Sequence, residues 1–418
     1  MRDKDLYQQI LGIASPWRVS DVELDVKQEA VTVRVALEPG VALACPECGA
    51  VCPGYDRRER RWRHLDTCQF QTILAAEVPR VNCPQHGVHQ VGVPWAEPGS
   101  GFTALFEALV IDWLREAPIS AVARRMQLSW RAIDTIMQRA VRRGMQRRET
   151  QSPRQLNVDE TSFARRHDYV TVVSDSQTGN VLHVAQERNT ESLKSYYATL
   201  DEGQKAAIES VAMDMWPAYI KATLADVPNA REKIAFDKFH VAKHLGDAVD
   251  KVRRSEHRQL LAAGDKTLKG TKFQWLTHPQ NMAREQWLGF KLLRESALKT
   301  ARAWALKETA MSLWHYISRG WAQRAWLGWL RWAGRSRQEP MKKAAAMIRE
   351  HLWGILNAIV LRAHNGGAES INSRIQLLKH RARGFRNKAR FINAIYFHLG
   401  GLELYPTAPI SSGTHTDR

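Results

Sequence analysis

The chain has 418 residues, 44% of them hydrophobic, which is enough for a real core and about two to three domains and excludes a disordered tail. Lys and Arg number 61 against 43 Asp and Glu, giving a net charge of +18 and a pI near 9.9, so the default partner is a polyanion, nucleic acid or an anionic membrane surface. No apolar run approaches the length of a membrane span, and Met1-Arg2-Asp3-Lys4-Asp5 lacks the apolar segment of a signal peptide, which places the chain in the cytoplasm and away from membranes.

Residues 21–38 alternate apolar and polar (Val22, Leu24, Val26, then Val31, Val33, Val35) and predict a hairpin. It runs into Cys45-Pro-Glu-Cys48-Gly49, and after a strand-like stretch through Ile73 and Val78 the same frame returns as Cys83-Pro-Gln-His86-Gly87. Five cysteines between Cys45 and Cys83 do not suit a disulfide framework in a reducing compartment. Two matching knuckles suit one tetrahedral zinc, and the glycine after each relieves the turn that points both ligands inward. The expected ligands are Cys45, Cys48, Cys83 and His86, with His89, Cys52 and Cys68 as substitutes; buried free thiols are the plainer alternative. With all four positions filled by protein, such a zinc is structural.

Pro94 to Gly101 has the composition of a linker. Helices are then predicted over Phe102–Arg115 and Ile119–Met126, with Gln127-Leu128-Ser129 as a turn and Ser129 capping a third helix whose apolar face carries Ile133, Ile136, Met137, Ala140 and Val141. Short helix, tight turn and longer helix is the helix-turn-helix pattern. Arg131, Arg139, Arg142, Arg143, Arg147 and Arg148 on the third helix and its extension are candidate phosphate contacts, the alternative being a solvated helical hairpin.

From Arg154 the pattern becomes βββαβαβ: strands at Leu156–Phe163, Tyr169–Ser174 and Val181–Ala185, a helix near Glu191–Leu200, strand Ile208–Asp214, helix Trp216–Leu224 and strand Lys233–Asp237. That is the order of a ribonuclease H-like fold, which puts one acid midway on its first strand and another just after its fourth. Asp159 and Asp214 occupy those places, at a cost to strand propensity that marks them as candidates for chemistry. Residues 241–344 are helical, basic and tryptophan-rich and predict an inserted helical domain, its tryptophans mostly core. After Asn365-Gly366-Gly367, Glu369 opens a helix on which Glu369, Asn372, Ser373 and Gln376 share one face and Ile371, Ile375 and Leu378 another. Asp159, Asp214 and Glu369 are expected to meet around divalent metal. Lys379, Arg381 and Arg383 beyond them are either a solvated helix end or part of a DNA track. The expected domains are 1–98 (β and zinc ribbon), 99–150 (helix-turn-helix), 151–240 and 345–405 (catalytic, in two parts), 241–344 (all-α insertion) and 406–418 (disordered tail).

These residues resemble the ISL-three family of bacterial insertion-sequence transposases, within the DDE superfamily. The resemblance rests on the paired knuckles, Val158-Asp159-Glu160-Thr161, Met213-Asp214-Met215-Trp216-Pro217-Ala218-Tyr219, Phe236-Asp237-Lys238-Phe239-His240-Val241 and Asn365-Gly366-Gly367-Ala368-Glu369-Ser370-Ile371-Asn372, in the family's order along nearly the whole chain. His86 stands where the commoner family version has cysteine. The resemblance implies a multidomain α/β protein with a ribonuclease H-like catalytic domain interrupted by a helical insertion, an N-terminal zinc and helix-turn-helix region on the terminal inverted repeats, and Asp159, Asp214 and Glu369 as the acidic triad. Two Mg²⁺ ions, with Mn²⁺ able to substitute, would then serve hydrolysis at the element ends and joining of the 3′-OH to target DNA. Asp159 would bridge the ions. Glu160 is the rival ligand, and Asp237 and His240 are candidates to support the site or touch DNA, the alternative being an ordinary surface role. Double-stranded DNA is the expected partner and a homodimer or larger the expected form on it, in a bacterial cytoplasm and on the nucleoid when bound. The rivals are a DNA-binding regulator without strand transfer and a nuclease that never joins.

Overall fold

The computed structural model describes residues 3–149, 152–164, 168–277, 279–296, 298–363 and 366–407. Asn365 of the glycine motif and residues 408–418 of the expected tail lie outside them. The chain forms two compact units, one built on residues up to Glu149 with Tyr396–His398 and the stretch from Leu402, the other on the residues from there to Ile395 with Leu399–Gly401.

In the first unit, helix α1 (Asp3–Ile10) precedes strands β1 (Trp17–Asp25), β2 (Ala30–Leu37), β3 (Gly54–Arg63), β4 (Gln71–Cys83) and β5 (Gly87–Gln90). The sheet order is β1-β2-β4-β3 with β5 also on β4, and β1 and β2 form the expected antiparallel hairpin. The alternation of β2 sends Val31, Val33 and Val35 inward, where they join Leu74, Val78 and a trio of tryptophans. Trp95 meets Trp17 and Trp62 edge-on at 5.1 and 5.4 Å between ring centres. Strand β3, absent from the sequence expectation, is an edge strand that buries only Trp62. The helices α2 (Ala104–Glu116), α3 (Ile119–Arg125) and α4 (Trp130–Arg147) follow. Thr103 and Ser129 cap α2 and α4 by accepting from the Phe106 and Ala132 amides. Val110, Ile111, Ile133 and Ile136 are fully buried on their apolar faces. The zinc-bearing sheet and these helices thus belong to one unit, where the sequence suggested two domains.

The second unit is built on β6 (Gln155–Ala164), β7 (Asp168–Asp175), β8 (Val181–Gln186), β9 (Ser210–Met213) and β10 (Ile234–Phe236), in the order β10-β9-β6-β7-β8. β6, β7 and β8 are an antiparallel meander. β9 and β10 run parallel to β6, because helices α5 (Thr190–Tyr197) and α6 (Glu202–Ala207), then α7 (Pro217–Asp226) and α8 (Ala230–Lys233), supply the crossovers that parallel pairing needs. Six helices follow: α9 (Lys238–Ala262), α10 (Lys272–Leu276), α11 (Arg284–Glu295), α12 (Lys299–Ser312), α13 (Arg319–Gly334) and α14 (Glu339–Leu361). Trp275, Trp304, Trp326 and Trp329 are buried among them, as expected, in a core continuous with that of the sheet. The chain closes with α15 (Gly366–Arg381) and α16 (Lys388–Leu399).

One expectation needs correcting. Helix α14 is long and apolar enough, by length and composition, to cross a membrane. Its apolarity has a local cause: it packs against β10 so closely that a Cβ on Gly354 would stand 2.4 Å from the Phe236 ring, and its Asn357 donates to the Ile234 and Arg231 carbonyls at 2.8 Å. The expected tail also begins too early, since Pro406 is buried and Thr407 accepts from Arg147 at 3.1 Å.

Candidate active site and metal centre

The zinc centre is the simpler of two constellations. Gly49 and Gly87 adopt φ of +73° and +76°, the left-handed conformation that lets each knuckle turn back on itself. Cys45, Cys48, Cys83 and His86 bring one ligand atom each to within 4.8 Å of all the others. Ligands about 2.3 Å (sulfur) and 2.0 to 2.1 Å (nitrogen) from a tetrahedral metal stand roughly 3.5 to 3.8 Å apart. The Cys48–Cys83 sulfurs are 3.8 Å apart, and His86 Nδ1 lies 3.6 Å from Cys83 and 3.8 Å from Cys45. The backbone amides of Gln85 and His86 hold the Cys83 thiol down to about 6, which favours the thiolate that metal requires. Cys52, pushed up by burial, donates instead to the Ala50 carbonyl, and His89 Nε2 bonds the His86 carbonyl oxygen at 2.7 Å. Neither belongs to the cluster, and Cys68 is exposed outside it.

The second constellation lies where β9 and β10 end. Val158 of β6 stands opposite Met213 of β9, and Met213 opposite Phe236 of β10. The next residue on each is an aspartate. Asp159, Asp214 and Asp237 therefore stand abreast on neighbouring parallel strands about 4.8 Å apart, at the carboxyl edge where open α/β sheets bind ligands. The Asp237 amide donates to the Met213 carbonyl at 3.1 Å, extending the register.

Each acid has a distinct partner. Asp159 accepts from Asn372 Nδ2 at 2.8 Å and from the Glu160 amide at 2.8 Å. Burial, and after it the charge of Glu160, push its carboxyl up to about 7. Glu160 points elsewhere: its Oε1 pairs with Arg188 at 3.1 Å and its buried Oε2 has no partner among the described residues. Arg188 also reaches Asp214 at 3.6 Å, with its guanidinium 4.1 Å from the Trp216 ring centre. Asp237, buried, caps α9 through the Phe239 amide and accepts from His240 Nδ1 at 3.1 Å. That bond raises the affinity of His240 for its proton, while Nε2 faces Asp214 at 3.9 Å.

Helix α15 lies along β6 by the face its periodicity marked. Gln376 donates to Thr161 at 3.0 Å and Lys379 to the Ser162 carbonyl at 2.6 Å, while a Cβ on Gly367 would stand 3.0 Å from Asn157. Glu369 opens this helix one turn before Asn372, is exposed, and makes no hydrogen bond or ion pair among the described residues. The structure thus brings Asn372 into contact with Asp159 and sets Glu369 on the same face one turn away. Among the described residues only the zinc cluster gathers its ligand atoms within 4.8 Å; the acidic group is more open. Arg188 and Asn372 belong to the site and were not singled out for it by the sequence. Arg188 lies in no motif, and Asn372 was placed on the right face without a partner.

The basic candidates divide. Arg381 and Arg383 are exposed and line an open groove with Lys379, Gln376 and Ser373. On α4, Arg131 and Arg142 are exposed, but Arg139, Arg143 and Arg147 are not free for DNA. Arg139 pairs with the buried Glu107 at 2.5 Å. Arg143, itself buried, pairs with Glu97 and Glu107 and donates to the Leu404 carbonyl. Arg147 donates to the Tyr405 carbonyl at 2.6 Å. These three are corrected from phosphate contacts to internal ties: pulling Arg139 and Arg143 away would uncover the buried charge of Glu107, and pulling Arg147 away would break its bonds to Tyr405 and Thr407.

Comparison with known proteins gives three family matches along the chain. A family model described as transposase matches residues 156–395, one described as the helix-turn-helix domain of transposase family ISL3 matches 92–141, and a zinc-finger model of the transposases IS204, IS1001, IS1096 and IS1165 matches 42–86. The transposase for insertion sequence element IS1557 of Mycobacterium tuberculosis is 29% identical over 98% of both chains. That for IS1001 of Bordetella parapertussis is 26% identical over 86% of this chain and 90% of its own.

Proposed function

The chain belongs to the ISL3 family of insertion-sequence transposases, and from that premise we propose that it binds the terminal inverted repeats of its element, hydrolyses the phosphodiester at each end and joins the freed 3′-OH to target DNA. The observation that carries this reading is Asp159 within β6 and Asp214 directly after β9, each following the paired Val158 and Met213, with α15 laid against β6 so that Glu369 precedes the helix turn that touches Asp159. The sheet order β10-β9-β6-β7-β8 supports a ribonuclease H-like domain, into which α10 to α13 are inserted.

Asp159, Asp214 and Glu369 are the ligands we assign to Mg²⁺, with Mn²⁺ serving in its place. Hard carboxylate oxygens suit such ions, and a carboxyl as disfavoured in its charged form as Asp159 is one that a divalent cation would return to the anion. When bound, a pair of ions supplies activation of the attacking oxygen and stabilisation of the leaving 3′ oxygen. The protein's own groups do the positioning. Asn372 fixes the rotamer of Asp159, Arg188 balances Glu160 and Asp214 from its seat on Trp216, and Asp237 keeps the His240 proton on Nδ1 so that Nε2 faces Asp214. Glu160, committed to Arg188, is not a ligand in this reading. Arg131 and Arg142 are assigned to the inverted repeat, and Lys379, Arg381 and Arg383 to the DNA track beside the acids. Two ends cut together call for a dimer or larger on DNA, in the compartment that holds the chromosome.

The test is cleavage and joining of a duplex carrying the element end. Asp159→Ala is expected to abolish both while end binding stays within about twofold, a change of under 0.5 kcal/mol. Strand transfer retained by that variant ends the assignment.

A further inference from the structure

We propose that the edge strand β3 is a second duplex-DNA-binding surface, on which Arg57, Arg58, Arg60 and Arg61 contact backbone phosphates independently of the helix-turn-helix. The inference rests on the transposase reading for its DNA and extends it to a part of the N-terminal unit that neither the knuckles nor the helices account for.

The arginine charge midway along β3 is taken up by no ion pair among the described residues. Arg57, Arg58 and Arg61 are exposed and Arg60 half-buried. Among the described residues none of the four takes an ion pair, although neighbouring basic residues do: Arg63 pairs with Asp66, and Arg80 holds Asp56 through two bonds. Glu59 is the one other acid on the strand. The contrast with α4 is direct. There, Arg139, Arg143 and Arg147 are committed to the protein, so the helix that looks richest in basic residues offers fewer of them to DNA than β3 does.

β3 pairs with β4 on one side only, and on its other side Arg63 alone is bridged, to Phe102. Successive side chains alternate, so Arg57 and Arg61 leave one face of the ribbon and Arg58 and Arg60 the other, flanking an open edge whose amides are themselves phosphate donors. The strand is held at both ends. At its start the Cys52 amide bonds Leu43 and the Asn82 amide bonds Pro53, next to the zinc cluster; at its close the Arg63 amide bonds Gly101, and Arg63 accepts from Thr103, the cap of α2. A basic ribbon tied at both ends thus leads from the zinc-ligand cluster to α2.

Edge strands also carry charge to prevent sheet-to-sheet association, but an isolated lysine or arginine achieves that. Single-stranded nucleic acid would want aromatic platforms, and Tyr55 alone is offered, with Arg80 over its ring. A membrane surface would want apolar residues among the arginines, and β3 exposes none besides Tyr55. Phosphates of a duplex are what remain.

The experiment measures binding of the full chain to a fluorescent duplex of random sequence as salt is raised. In the variant Arg57→Ala/Arg58→Ala/Arg60→Ala/Arg61→Ala, affinity at low salt is expected to fall at least about tenfold, and the slope of log affinity against log salt to shrink by about 0.9 for each phosphate no longer neutralised. The matching all-lysine variant should keep the wild-type slope. Zinc content reports folding; if the alanine variant loses its zinc, Arg58→Gln/Arg61→Gln takes its place, with a slope reduced by up to about 1.8. A slope and affinity unmoved by these changes, or a loss confined to single-stranded or RNA probes, overturns the inference. A wild-type chain that binds no duplex at all overturns the transposase reading instead.

Discussion

Asn372 Nδ2 lies 2.8 Å from Asp159 Oδ2, a hydrogen bond between residues 213 positions apart that ties α15 to the central strand of the second unit. Glu369, one turn earlier on that helix, is exposed and makes no bond of its own among the described residues. The two residues should therefore fail differently. Asn372→Ala removes a support for Asp159 and is expected to lower single-turnover cleavage by about 10- to 100-fold, with more Mg²⁺ needed for half-maximal rate. Glu369→Ala removes a proposed ligand and is expected to cost more than about 1,000-fold, with no rescue by added metal. Equal mild losses in both variants would remove Glu369 from the triad.

The zinc centre gives a sharper stoichiometry. Purified chain should carry about one zinc, since the cluster offers four protein ligands and no open position. Cys45→Ser and His86→Ala should each release it, whereas Cys52→Ser, Cys68→Ser and His89→Ala should retain it. Metal analysis after gel filtration decides this. Zinc retained by His86→Ala would bring His89 in as the fourth ligand.

Much of this was legible in the sequence where the physical demand is local. A tetrahedral metal needs two ligands from one tight turn, so the doubled Cys-Pro frame announced the cluster. Helical periodicity put Glu369, Asn372 and Gln376 on one face, and that face lies along β6. What was not legible depends on partners distant in sequence. Arg139 and Arg143 of α4 read as phosphate contacts because Glu97 and Glu107, which hold them, belong to a preceding loop and another helix, and Arg147 because Tyr405 lies 258 residues away. β3 was missed because an edge strand that buries only Trp62 lacks the alternation by which strands are recognised. Arg188 lies outside every motif and shows its role only once Glu160, Asp214 and Trp216 surround it.

The division among the arginines predicts two phenotypes on one helix. Arg143→Ala leaves Glu107, which is 1% exposed, with Arg139 as its one guanidinium partner and removes the donor to the Leu404 carbonyl, and should destabilise the first unit by about 1 to 3 kcal/mol. Arg131→Ala, at an exposed position in the first turn of α4, should leave stability within about 0.5 kcal/mol and weaken DNA binding. Chemical denaturation beside a binding titration separates them. A stable Arg143→Ala that binds DNA poorly would restore Arg143 to the DNA surface.

His64 makes the stability of the same unit depend on pH. Its ring is buried, with Nδ1 2.9 Å from the Thr103 hydroxyl that caps α2. Burial, and after it the charge of Arg63, lower its pKa from 6.5 to about 4. The unfolded chain therefore binds a proton that the folded chain refuses between those values. Stability from the neutral ring is complete above about pH 6.5 and is lost as pH falls toward 4, by about 3 kcal/mol at most. Hydrogen exchange within Gly54–Cys83, followed from about pH 8 down to about pH 5 with intrinsic rates corrected, reads this unit without the other. Protection should fall more steeply with acid in the wild type than in His64→Gln, which has no proton to gain. Because zinc ligands protonate in both chains, the difference between the two curves isolates His64, and coincident curves would show that the buried ring has no part in the acid sensitivity.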